Sequence, residues 1–145
     1  MTVEYKNASS RLVDNSQVFI MSFTGKYVLE SQENYQEFLK AIGVSQMEIP
    51  NEDMVTDLYE GAYYRITKYF GSQTQSNTFL LGREAELEDL DGTTFQTIVN
   101  KEGNKIKIQF PKYVYTAQLS GDVLIEVNSI PGGITNKMVS KRQRD

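Results

Sequence analysis

Glu126 and Asp89 are the residues through which this chain could do acid–base chemistry. The sequence contains no His and no Cys. That removes the commonest general base, the commonest metal ligand and every Ser-His or Cys-His nucleophile pair. What remains is carboxylate chemistry, in which Glu126 or Asp89 would serve as a lone base. No metal-ligand cluster and no phosphate-binding loop accompanies them, so the residues predict no enzyme, no cofactor and no metal. The same carboxylates suit a different task. A Glu and a Lys set among aromatics on alternating strands can orient an amphipathic ligand inside a cavity.

The alternation carries that reading. In the segment 62–70, Tyr64, Ile66, Lys68 and Phe70 share one face, against Tyr63, Arg65, Thr67 and Tyr69. In 113–119, Tyr113, Tyr115, Ala117 and Leu119 share a face. In 123–130, Leu124, Glu126, Asn128 and Ile130 lie opposite Ile125 and Val127. Faces that mix aromatics with a few polar groups fit a wet cavity. They also fit outer-face charges on a half-exposed sheet, with Lys68 as a solvated strand lysine. In a cavity, Glu126 calls for a partner, either Lys68 or a bound water, and it can instead be one end of an internal polar network.

The elements that would position these groups are mostly strands. Residues 26–30 alternate and predict a first strand. A helix follows, with Ser31 as N-cap, Glu33 in the first turn, and Tyr35, Phe38, Leu39 and Ile42 on one stripe at i, i+3, i+4 and i+7. Gly43 closes it after about three turns. Ser45 to Glu48 resembles a capping box, but Pro50 permits only a single turn there. Strands are then predicted over 54–60, 62–70, 73–81, 84–90, 93–100, 105–110, 113–119, 123–130 and 134–141, joined by tight turns. Asp91-Gly92 suggests a type I′ hairpin. The pattern predicts an all-β fold: a ten-stranded up-and-down antiparallel barrel with a short helical lid between its first two strands.

Composition agrees with one globular domain. The chain has 145 residues, 39% hydrophobic and 23% charged, with a net charge of −4. That balance gives no electrostatic footprint for nucleic acid. Residues 1–20 are polar and aperiodic, which predicts an extension, poorly ordered at least to Ser16, outside a domain over 21–145. Met21 is a candidate second start. The apolar run Val18 to Met21 is too short for a membrane span or a signal peptide, so a cytoplasmic monomer is expected. The tail Lys141-Arg142-Gln143-Arg144 reads as a solvated terminus that allows brief contact with anionic membranes.

The segment FTGKYVLESQENYQEFLKAIG at 23–43 resembles the signature of the intracellular lipid-binding proteins, the cytosolic fatty-acid-binding protein family. Phe110-Pro111-Lys112-Tyr113, the stretch from Gly121 to Val127, Gly132-Gly133-Ile134-Thr135 and Val139 to Arg142 resemble its ileal bile-acid-binding branch. Glu86 to Gly92 is similar to the liver branch. The likeness spans about residues 21–142. It implies a ten-stranded barrel with a helix-turn-helix lid, carrying a fatty acid, bile acid or related lipid without catalysis. It also implies a cavity wall at Ile66, Lys68, Asn77, Tyr113, Tyr115 and Glu126, with Tyr35 of the covering helix above it. Five of these coincide with the faces read from alternation. The departures matter. Met138 stands where many members carry an Arg for the ligand carboxylate, and Ser140 where several carry a Tyr. A second Arg position falls at about Ala117, and the Trp of the bile-acid branch is Ile66. The bidentate clamp is absent, which leaves Lys68 as the substitute cation. A competing reading is a sensing or partner-binding module that docks through residues 1–20 or the basic tail.

Overall fold

The computed structural model describes residues 22–44 and 54–144. The extension at 1–20, the capping-box segment and Pro50 lie outside the described residues. The strands are β1 (Gly25–Glu33), β2 (Val55–Glu60), β3 (Tyr64–Phe70), β4 (Gln73–Phe79), β5 (Glu84–Glu88), β6 (Thr94–Ile98), β7 (Asn100–Glu102), β8 (Lys105–Gln109), β9 (Val114–Ser120), β10 (Val123–Ser129) and β11 (Thr135–Arg142), with one helix, α1 (Tyr35–Ala41), after β1. Nine strands form one antiparallel sheet in the order β4-β3-β2-β1-β11-β10-β9-β8-β7, and β5 pairs with β6. Because β1 bonds both β2 and β11, the first and last described strands are neighbours and the meander curls round on itself. The sequence-predicted strand at 93–100 is divided into β6 and β7 at Val99, which is fully buried and accepts a hydrogen bond from Gly82 N–H at 2.9 Å.

Period-two burial runs along the long strands. Tyr115, Ala117 and Leu119 of β9 are buried, as are Leu124, Glu126 and Asn128 of β10, while Ile125 and Val127 are only half-buried. The inner face of β10 is therefore more polar than its outer face. That inverts the usual core and marks an interior built to hold polar groups.

The helix differs from its sequence reading at its start. β1 stays paired with β11 through Ser31, Gln32 and Glu33, so Ser31 is a ladder residue and cannot cap. The chain turns through Asn34, the one described non-glycine residue with positive φ, at 62°. Gln32 Oε1 accepts the Tyr35 N–H at 3.1 Å in place of a cap side chain. The helix is consequently two turns rather than three. Tyr35, Phe38 and Leu39 are buried, and Gly43 follows with φ 86°, the left-handed C′ position that glycine fills without strain.

The Asp91-Gly92 hairpin is not type I′, which needs positive φ at both central residues. Asp91 keeps negative φ, and its carboxylate accepts the Thr93 N–H at 3.0 Å and hydroxyl at 2.6 Å. Gly92 alone takes the left-handed conformation.

The ladder is interrupted between β4 and β5, and side chains span the seam. Asn77 Nδ2 donates to Glu88 O at 3.0 Å while Asn77 Oδ1 accepts the Glu88 N–H at 2.8 Å. Gln75 Nε2 adds a bond to the same carbonyl at 3.2 Å. One asparagine amide thus imitates a strand partner. Asn77→Ala should cost about 1 kcal/mol in chemical denaturation and speed exchange of the Glu88 amide. An unchanged exchange rate would mean that the seam is held by something else.

Candidate internal ligand site

The inward residues of β2, β3, β9 and β10 meet at a buried ionic group. Lys68 on β3 reaches across the interior and donates from Nζ to Glu126 Oε2 on β10. It also donates to Thr56 Oγ1 on β2 at 3.2 Å. The Tyr115 hydroxyl on β9 donates to the same Glu126 oxygen, and Lys68 Nζ lies 5.9 Å from the centroid of the Tyr115 ring. Glu126 is fully buried, and Lys68 is 7% exposed. A charge in such surroundings persists only when it is paired and hydrogen-bonded, and each of these supplies the other. Cross-strand register places Ala117 on one side of Glu126 and Met138 on the other. No donor among the described residues reaches Glu126 Oε1.

A second polar pair includes the wall residue Tyr113. The Tyr113 hydroxyl donates to Asp89 Oδ1 at 2.7 Å, and Asp89 is itself buried. Burial, then the Asp89 carboxylate, pushes the Tyr113 phenol far above its ordinary range. Burial and then Glu126 do the same for Tyr115 and for Tyr35 on the helix. Tyr113 and Tyr115 are therefore held as neutral donors, and Tyr35 stays neutral. Both carboxylates are held by these partners. Among the described residues no three Asp or Glu side chains lie close enough to hold a metal ion. Asn128 and Asn136 are bonded at 3.0 Å, and Asn136 continues to Glu33 O at 2.8 Å.

Between these groups lies a cavity of about 530 Å³ of atom-free volume including its mouth. Tyr35, Ile66, Lys68, Asn77, Tyr113, Tyr115 and Met138 line it. Glu126 lies behind Lys68 and Tyr115, and Ser140 is buried beside Leu124 and Leu29, so neither is part of the lining. Phe70 and Asn128, on faces read from alternation, line it too, and sequence reasoning passed over Met54, Gln75, Leu90, Ile108 and Phe110 as wall residues. The signal for two of them was present, since the alternation of 105–110 puts Ile106, Ile108 and Phe110 on one side. Phe110 stacks on Tyr113 at 4.8 Å, and Phe38 of the helix packs edge-on to the same ring at 4.8 Å. The lid thus rests on the wall through a three-ring cluster.

The tail is more engaged than a solvated terminus. Arg142 donates to the carbonyls of Ser22 and Thr24 and packs over the Tyr27 ring, and Arg144 pairs with Asp122. Among the described residues no helix is long and apolar enough to cross a membrane.

This architecture has known counterparts. The family model described as lipocalin / cytosolic fatty-acid binding protein matches residues 21–144. Gastrotropin of Oryctolagus cuniculus is 39% identical over 127 residues, covering 84% of this chain and 98% of that protein. The liver fatty acid-binding protein 1 of Ambystoma mexicanum is 40% identical over 126 residues, covering 83% and 99%. Zebrafish ileal bile acid-binding protein, solved in complex with cholic acid, superposes with a TM-score of 0.67 at 34% identity, covering 83% of this chain and 98% of that one. With a curled antiparallel sheet, one described covering helix and this family match over almost all of its described length, the chain belongs to the lipocalin and cytosolic fatty-acid-binding protein family.

Proposed function

We propose that this protein is a non-enzymatic, reversible carrier that takes an amphipathic lipid of the fatty-acid or bile-acid class into the cavity beneath α1. The observation that carries the reading is the inward face itself. It combines a broad aromatic wall with a small set of fixed polar groups, on a fold whose relatives include proteins named for fatty acids and bile acids. The family description, cytosolic, supports an intracellular setting.

Energetics favour the reading. Each methylene removed from water contributes roughly 0.8 kcal/mol, so about a dozen give a gross ~10 kcal/mol. After ordering costs, that is enough for micromolar affinity or better, near −8 kcal/mol. Met138, unbranched and adaptable, and the Lys68 stem are the flexible members of the lining. Titration with oleate and, separately, with a conjugated bile salt should give saturable binding of at least one at micromolar concentration or below. No saturable binding of either overturns the proposal.

A further inference from the structure

The charge balance of the wall says more about the ligand, provided that the carrier reading holds. Lys68 is the sole charged side chain lining the cavity among the described residues. Its charge is already matched by Glu126, immediately behind it. The register neighbours of Glu126 are Ala117 and Met138, so no second cation stands in its row. The tyrosines around the pair are neutral, and the asparagines carry no charge.

A lipid carboxylate placed here would be a second buried anion beside Glu126, sharing one ammonium. Either it competes Glu126 off Lys68, leaving that carboxylate buried and unpaired, or it remains unpaired itself. An uncharged head adds no charge. Its carbonyl or hydroxyl oxygen can accept from Lys68, which spends two of its three donors on Glu126 and Thr56. Its N–H or O–H can donate to an amide oxygen of the lining, such as that of Asn128, which a carboxylate cannot do.

We infer that the cavity selects lipids with an uncharged, hydrogen-bonding head group, such as long-chain amides, alcohols or glycerol monoesters, over carboxylates with the same tail. The preference comes from the Lys68–Glu126 pair acting as an internal counter-ion set.

The test compares oleamide, oleyl alcohol and oleate on the whole protein at pH about 8, where oleate is ionised, by displacement of one uncharged fluorescent lipid probe. The uncharged ligands should bind about tenfold or more tightly than oleate. Oleate binding as tightly as the others, or more tightly, overturns the inference while leaving the carrier reading intact. If none of the three displaces the probe or binds directly by calorimetry, the carrier reading fails and the inference falls with it. A second arm uses Glu126→Gln, which frees the Lys68 charge and should move the preference toward oleate. The wild-type comparison decides the matter by itself if that variant does not fold.

Discussion

Glu126→Ala should lower the free energy of unfolding by about 3–5 kcal/mol, one of the largest losses of any single substitution in this chain. The cost is not the lost attraction alone. Removing the carboxylate leaves the Lys68 ammonium in a site where it is 7% exposed, with Thr56 Oγ1 at 3.2 Å as its remaining hydrogen-bond acceptor. The Tyr115 hydroxyl loses its acceptor in the same step. A small barrel with marginal stability loses a large part of its margin this way. The melting temperature should fall by roughly 10 °C or more. The double variant Lys68→Met, Glu126→Leu separates the two explanations. Replacing both charges with apolar groups of similar size should recover most of the stability, because a buried ion pair contributes little net energy beyond its own desolvation. Denaturant titration of the three proteins is the measurement. A Glu126→Ala loss below about 1 kcal/mol would show that water reaches the pair and that the interior is not dry around it.

That pair also marks where sequence reading reached its limit. Alternation alone put Lys68 and Glu126 on candidate inward faces that an exposed sheet fitted equally well, and the need of a buried Glu126 for a partner was legible from its neighbours. The choice between Lys68 and water was not, because the two residues are 58 positions apart and meet only when β3 and β10 face each other across the closed interior. The strands and their turns were legible for the opposite reason. Period-two patterning and glycine turns are local, and they predicted the strands to within a residue or two from β8 through β11. Local readings failed where tertiary pairing overrode them. Ser31 has the composition of a cap but is claimed by the ladder with β11, and Asp91 satisfies its own turn with its carboxylate instead of adopting positive φ. The division at Val99 and the seam at Asn77 have no local signature, since each depends on which strand lies alongside.

Phe38→Ala should release the helix while leaving the sheet folded. Phe38 is fully buried, packs edge-on to Tyr113 at 4.8 Å, and lies 6.3 Å from the Tyr35 ring. Truncating a buried Phe costs about 3–5 kcal/mol when the site cannot collapse. Here the loss falls on an element that cannot stand alone, because seven helical residues are too few to be stable in water. The helix is tied to the sheet mainly by its apolar face, with Lys112 Nζ donating to Ile42 O at 3.1 Å as one polar tether. The cheapest response is therefore local undocking rather than global unfolding. Amide exchange over residues 38–44 should accelerate by about a hundredfold or more, the equivalent of 3 kcal/mol. Amides of β9 and β10, bonded to each other along seven register pairs, should keep their protection. Because the same ring cluster roofs the cavity, lipid dissociation should quicken in step with helix exchange, and affinity should fall less than the off-rate rises. If exchange over 38–44 and over β9–β10 rises by the same factor, the helix and sheet unfold as one unit. The helix would then be part of the core and not a lid.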